Sequence, residues 1–381
     1  MTTARATLHR LAVPRLTGTA GAAAVLADVR NTLEALGYTT VDQRFTFSAW
    51  PARHGVRTIG LVFGAGLALA AVWLAGARPF AALGLLLAIA IAALAFALSA
   101  GYLISRLPWL RTGATNLWAV PARTARFLIV AHRDSKSQTI PLGLRIAAAT
   151  TLLTVFALLL GAALGLIAPS VPALMAAAVL GLAAGTALGC CGVGNDSAGA
   201  LDNASGLATL LHVAERESPA GDVAFLVTDA EEFGLAGSFA ALRERDTLAG
   251  VEAVINFDGV DDEGGFFILE GRIPRRGHGL ASTIEAAARA QGAQIRRRAV
   301  PPGLMLDHVP FLQSGMQALT LMHGGLLSLA RVHRPTDNLD RLSGAGIAPT
   351  ADVTCETLRR LRAAGPSSSN DARVARAGPA V

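Results

Sequence analysis

Short apolar runs at Phe127–Ala131, Val223–Val227 and Val254–Phe257 are separated by stretches with helical spacing. Runs of this length predict strands buried on both faces. Further strands are expected over Tyr38–Phe47 and within Thr115–Ala131. Amphipathic spacing predicts helices over Ala20–Leu36, Leu280–Gln291 and Val353–Ala363, and a helix-like apolar run fills Leu207–Val213. Strands interleaved with helices describe an α/β core.

Two long blocks break this pattern. Thr58–Ser105 carries one charge, Arg78, and Ile146–Asn195 carries none. Each is about fifty residues, roughly 75 Å as helix, which is two membrane crossings and a turn. The turns read as Gly76-Ala77-Arg78-Pro79 and Ala168-Pro169-Ser170-Val171-Pro172. A soluble core helix keeps a polar face, whereas Leu83–Ala100 and Ala147–Ile167 are apolar all round, so four transmembrane helices in two hairpins are expected. One hairpin interrupts the chain after the first strand, the other between His132 and Asp202. A hairpin returns the chain to the side it left, so the remainder can form one aqueous domain of roughly 280 residues, enough for a full core. The expected segments are 1–56, 106–143 and 192–363 for that domain, 57–105 and 144–191 for the hairpins, and 364–381 for a disordered tail.

Composition agrees. At 52% hydrophobic and 16% charged over 381 residues, the chain is too apolar for an ordinary soluble enzyme of its size. Arg53, Arg57, Arg106, Arg111, Arg133, Lys136 and Arg145 flank the hairpins on the domain side and only Arg78 lies opposite, which predicts a cytoplasmic domain. The three cysteines make no disulfide framework, and Met1–Val13 lacks the apolar stretch of a signal peptide. The net charge of +6 fits attraction to anionic lipid headgroups, with no nucleic-acid motif beside it.

The candidate chemistry lies at strand ends. His132 ends one run, Asp202 opens Asp-Asn-Ala-Ser-Gly, Glu231-Glu232 and Asp258 follow two more runs, and His333 opens His-Arg-Pro-Thr-Asp. Two imidazoles and three of these four carboxylates suit a pair of zinc ions, with Glu231 left free. Singly, each has a simpler reading: Asp202 as a helix N-cap, His132 as a buried core histidine, Glu231-Glu232 as a helix start.

In order and motif, these residues resemble the co-catalytic di-zinc exopeptidases, the zinc aminopeptidases and their glutamate-carboxypeptidase relatives, from Arg15-Leu16-Thr17-Gly18-Thr19 to Asp340. The resemblance implies a three-layer α/β/α domain with a mixed central sheet, and a peptide substrate. It implies two zinc ions held by His132, Asp202, Glu232, Asp258 and His333, with Asp202 bridging. Glu231 would be the general base and Asp134 the carboxylate orienting His132. Asp307-His308-Val309-Pro310-Phe311 resembles a segment lining the substrate pocket, although Leu306 stands where relatives carry serine. Aminopeptidase activity is expected; the same scaffold also serves glutaminyl-cyclase-like acyl transfer with one zinc, and carboxypeptidases. A membrane scaffold without catalysis is the contrasting expectation.

Overall fold

A computed structural model of the chain describes residues 3–271, 279–301, 304–325, 328 and 330–365. The chain divides into two units: one of Met1–Phe45, Gly113–Lys136 and Asn195–Val381, the other of Thr46–Thr112 and Ser137–Gly194.

The first unit is built on a mixed eight-stranded sheet. Numbered in chain order, its strands are β1 (Thr39–Ser48), β2 (Arg111–Val120), β3 (Phe127–His132), β6 (Val223–Thr228), β7 (Ala253–Val260), β8 (Gly265–Glu270), β9 (Ile295–Ala299) and β10 (Gln317–Gly324), while the short β4 (Ser137–Gln138) and β5 (Val193–Gly194) of the second unit pair only with each other. Across the sheet they run β1-β2-β6-β3-β7-β10-β8-β9. The central four, β6, β3, β7 and β10, are parallel.

Alternation on these strands sorts side chains to two faces. Phe127, Ile129, Phe225 and Ile255 pack beneath helices through Leu8, Leu11, Val25, Val29, Leu207, Ile284 and Leu358. Leu128, Val130, Leu226 and Val254 face the other way, against Ala241 and Phe311. Both faces are covered, which is why the runs are continuously apolar. The result is a three-layer α/β/α domain.

The helices Ala20–Ala35 and Gly279–Ala290 lie within one residue of expectation. Thr19 caps the first, its hydroxyl accepting the Ala22 N–H. The last helix begins earlier than expected and spans Ile347–Ala364. Pro349 sits in its first turn, where proline is tolerated although it reads as a breaker in sequence. Beyond Gly365 the expected tail lies outside the described residues. Arg296-Arg297-Arg298 lies in the edge strand β9. Arg296 and Arg298 are exposed, while Arg297 donates to Glu270 Oε2 at 2.8 Å.

The second unit contains four helices long and apolar enough to cross a membrane, Pro51–Ala75, Pro79–Phe96, Leu142–Ala163 and Val171–Gly189. Only 17–28% of each apolar window is buried inside the protein. Phe80, Leu61, Val62, Ile91, Leu153 and Val179 are exposed on the outside. The first and last helices cross closely because Gly60 and Gly64 face Gly181 and Gly185. A Cβ on Gly64 would lie 2.7 Å from the Gly181 carbonyl oxygen. The ends of each insertion are pinned together. Ala49 N–H donates to the Leu110 carbonyl at 3.0 Å, and Ser137 pairs with Gly194 in the β4–β5 ribbon.

Candidate metal centre

Parallel strands bring their carboxyl ends to one edge of the sheet, and the loops leaving that edge carry the chemistry. His132 is the last residue of β3, Glu231 and Glu232 form the turn after β6, Asp258 lies near the end of β7, and His333 follows β10. Asp202 lies in the turn before the helix Gly206–Arg216. Ala230 and His333 hold the left-handed conformation, at φ 57° and 63°. Non-glycine residues seldom adopt it, and when they do it is often where a site sets side-chain direction.

The five residues converge in two groups that share Asp202. His132, Asp202 and Asp258 form one, and Asp202, Glu232 and His333 the other, with ligand-type atoms inside each group within 4.8 Å of one another. His132 Nε2 lies 3.2 Å from Asp202 Oδ1 and 3.7 Å from Asp258 Oδ1. His333 Nε2 lies 3.1 Å from Asp202 Oδ2 and 3.0 Å from Glu232 Oε2.

Four acids, counting Glu231, are buried here beside the buried His132 and the half-buried His333. Burial pushes the Glu231 carboxyl well above its ordinary range, and the neighbouring Glu232, Asp258 and Asp307 add to the rise. Asp258 is pushed up to about 6, mainly by burial. For Asp202 burial acts the same way, but the adjacent His132 and His333 outweigh it and hold its carboxyl well below the usual range. Among the described residues, His132 Nε2 and Glu232 Oε1 are buried without a well-directed hydrogen bond. Nitrogen and carboxylate oxygen donors, converging around buried atoms that lack partners, fit divalent cations of the zinc type.

The residues around the groups fix them in place. His132 Nδ1 meets the backbone carbonyl of Asp134 at 3.0 Å, nearer than the Asp134 carboxylate at 3.6 Å. That carboxylate instead accepts the backbone N–H groups of Glu231 and Glu232, both at 3.2 Å. Asp337 accepts the N–H of Leu201 at 2.7 Å and of Asp202 at 3.1 Å. Asn203 donates to the Phe257 carbonyl at 2.7 Å and ties the Asp202 turn to β7. Arg15 is wholly buried and donates to the carbonyls of Arg133, Val13, Ala198 and Gly199. It clamps the loop after His132 to the loop before Asp202. Asp337 and Arg15 stood inside recognised motifs, but a support role needs the folded distances to be seen.

Asp307 and His308, expected to line a substrate pocket, are both wholly buried. The two Asp307 oxygens are taken by the hydroxyls of Thr228 and Ser238. His308 Nδ1 meets Thr320 Oγ1 at 2.7 Å, and burial pushes the imidazole down to about 3. Two of the expected basic flanks are also interior groups. Arg133 pairs with Asp229, and Lys136 Nζ lies 2.8 Å from Glu232 Oε2.

Residues 119–358 match the sequence profile described as Peptidase family M28. The chain belongs to this family. It is therefore a peptidase, a hydrolase acting on peptides. No curated protein sequence matches it significantly. Among solved structures it is similar to a zinc aminopeptidase from Bacillus subtilis, at 13% identity and TM-score 0.55, with 94% of each chain covered. An aminopeptidase from Aneurinibacillus sp. strain AM-1 gives 14% and 0.55, covering 94% of this chain and 92% of that one. A glutaminyl cyclase from Porphyromonas gingivalis gives 16% and 0.57, covering 94% and 96%. At these identities the likeness establishes the fold.

Proposed function

We propose that this M28 peptidase is a membrane-embedded aminopeptidase that removes N-terminal residues from peptides with two zinc ions. The observation that carries the reading is the pair of three-residue groups joined through Asp202, with Glu231 beside them. His132 and Asp258 would hold one ion, Glu232 and His333 the other, and Asp202 both. Zinc bound there supplies a Lewis acid that polarises a carbonyl and acidifies water.

The rest of the work falls to the chain. Glu231 takes the proton of the attacking water and passes it to the departing amine; burial, which strengthens its basicity, suits it to that role. Asp134 fixes the turn that carries Glu231 and, through its carbonyl, the ring of His132. Asp307 and His308 support this wall from inside. In this reading the four apolar helices cross the bilayer, and the excess of Arg53, Arg57, Arg106, Arg111 and Arg145 over Arg78 alone supports a catalytic unit on the cytoplasmic face.

Zinc titration of the detergent-purified protein tests the reading. Saturation at two ions per chain, with turnover lost on chelation, is expected. A protein that binds no zinc contradicts it.

A further inference from the structure

Lys136 is the only lysine among the 33 basic residues of the chain. Every other cationic side chain is arginine, so an ammonium at this one position sets the site apart from the chain's general use of guanidinium. Its side chain is 10% exposed, and its Nζ lies 2.8 Å from Glu232 Oε2 and 3.2 Å from the Glu232 backbone carbonyl. The same carboxylate oxygen is 3.0 Å from His333 Nε2. The ammonium therefore already occupies an oxygen of the Asp202–Glu232–His333 group.

The other group is different. Among the described residues, no lysine or arginine forms an ion pair with Asp202 or Asp258, whose close partners are the imidazoles. A divalent cation entering the Glu232 group has two ways to do so. It can displace the ammonium from a buried carboxylate, or bind Glu232 Oε1 with the ammonium still on the neighbouring oxygen. In the first case a buried cation loses its counter-charge. In the second, like charges share one carboxylate where the effective dielectric is about 20 rather than that of water, and repel strongly. The His132–Asp202–Asp258 group carries neither cost.

We propose that Lys136 makes the two groups unequal, so that the His132–Asp202–Asp258 group fills first and tightly while the Asp202–Glu232–His333 group holds a weaker, exchangeable cation. Lys136 is a positioning residue that sets metal affinity through Glu232. A compact ammonium serves here because it can donate to both the carbonyl and the carboxylate of one residue from a flexible stem. This inference rests on the two-ion reading above.

The test is zinc binding by calorimetry on metal-free, full-length protein in detergent, with no activity readout. Wild-type protein should take two ions, the second at least tenfold more weakly. Lys136→Met should tighten the second step tenfold or more and leave the first within about threefold. Lys136→Gln, which keeps a polar group at the position, should do the same and stands in if the Met variant does not fold. Asp258→Asn should abolish the tight step and leave the weak one. Equal affinities in the wild type, or a second step unchanged or weaker in both Lys136 variants, overturns the inference while leaving two-ion binding intact. Wild-type protein that binds no zinc overturns the functional reading itself.

Discussion

Asp134 Oδ1 accepts the backbone N–H of Glu231 at 3.2 Å. Its other oxygen accepts the N–H of Glu232 and the hydroxyl of Thr17, each also at 3.2 Å. One buried carboxylate thus fixes the turn that presents both glutamates, and its own carbonyl holds the ring of His132.

Asp134→Asn puts an amide N–H against donors. Activity should fall about 10- to 100-fold, as is usual for groups that orient metal-site residues. Loss of this kind with zinc stoichiometry preserved is the expected pattern in parallel rate and metal assays; an unchanged rate would remove Asp134 from its positioning role.

Glu231→Gln keeps size and hydrogen bonding but cannot take a proton. Zinc content should be retained while kcat drops by about 10²–10⁴-fold, the range of general acid–base contributions. A near-normal rate would exclude Glu231 as the base.

His308 gives a pH prediction. Its imidazole is pushed down to about 3 by burial, so between about pH 6.5 and 3 the unfolded chain binds a proton that the folded chain does not. The stability linked to this group is complete above about pH 6.5 and is lost as pH falls through that window, by about 1.4 kcal/mol per unit. Going from pH 7 to 5, wild-type protein should lose about 2 kcal/mol more than His308→Gln in denaturant titrations. Equal losses would show that His308 does not stay neutral in the fold.

The hairpins give a topological prediction. Each insertion is pinned at its ends by Ala49 and Leu110 or by Ser137 and Gly194, so reporters at the two chain termini should lie in one compartment. On the orientation proposed from the arginine flanks, that compartment is the cytoplasm. Reporters in different compartments would contradict the hairpin reading; both outside would reverse the orientation.

Much of this was legible because the signals were local. The runs ending at His132 and Val227 are continuously apolar because both sheet faces are covered, and Pro79 and Pro172 mark the starts of helices at Pro79–Arg106 and Val171–Gly189. What escaped depends on contacts between distant positions. Lys136 reads as a flanking charge until the fold brings Glu232 to it. Arg297 reads as one of three solvated arginines until strand alternation turns it toward Glu270. Asp307-His308 reads as a polar pair open to substrate, and only burial beside Thr228, Ser238 and Thr320 shows what each side chain touches.

Product analysis separates aminopeptidase chemistry from cyclisation and from carboxypeptidase cleavage. Zinc-loaded protein would be incubated with peptides carrying free or acetylated N-termini, some beginning with glutamine, and the products identified by mass spectrometry. Release of single N-terminal residues from the free peptides only, abolished by chelation, is the expected result. Cyclised glutamine without hydrolysis, or release from the carboxyl end, would contradict it.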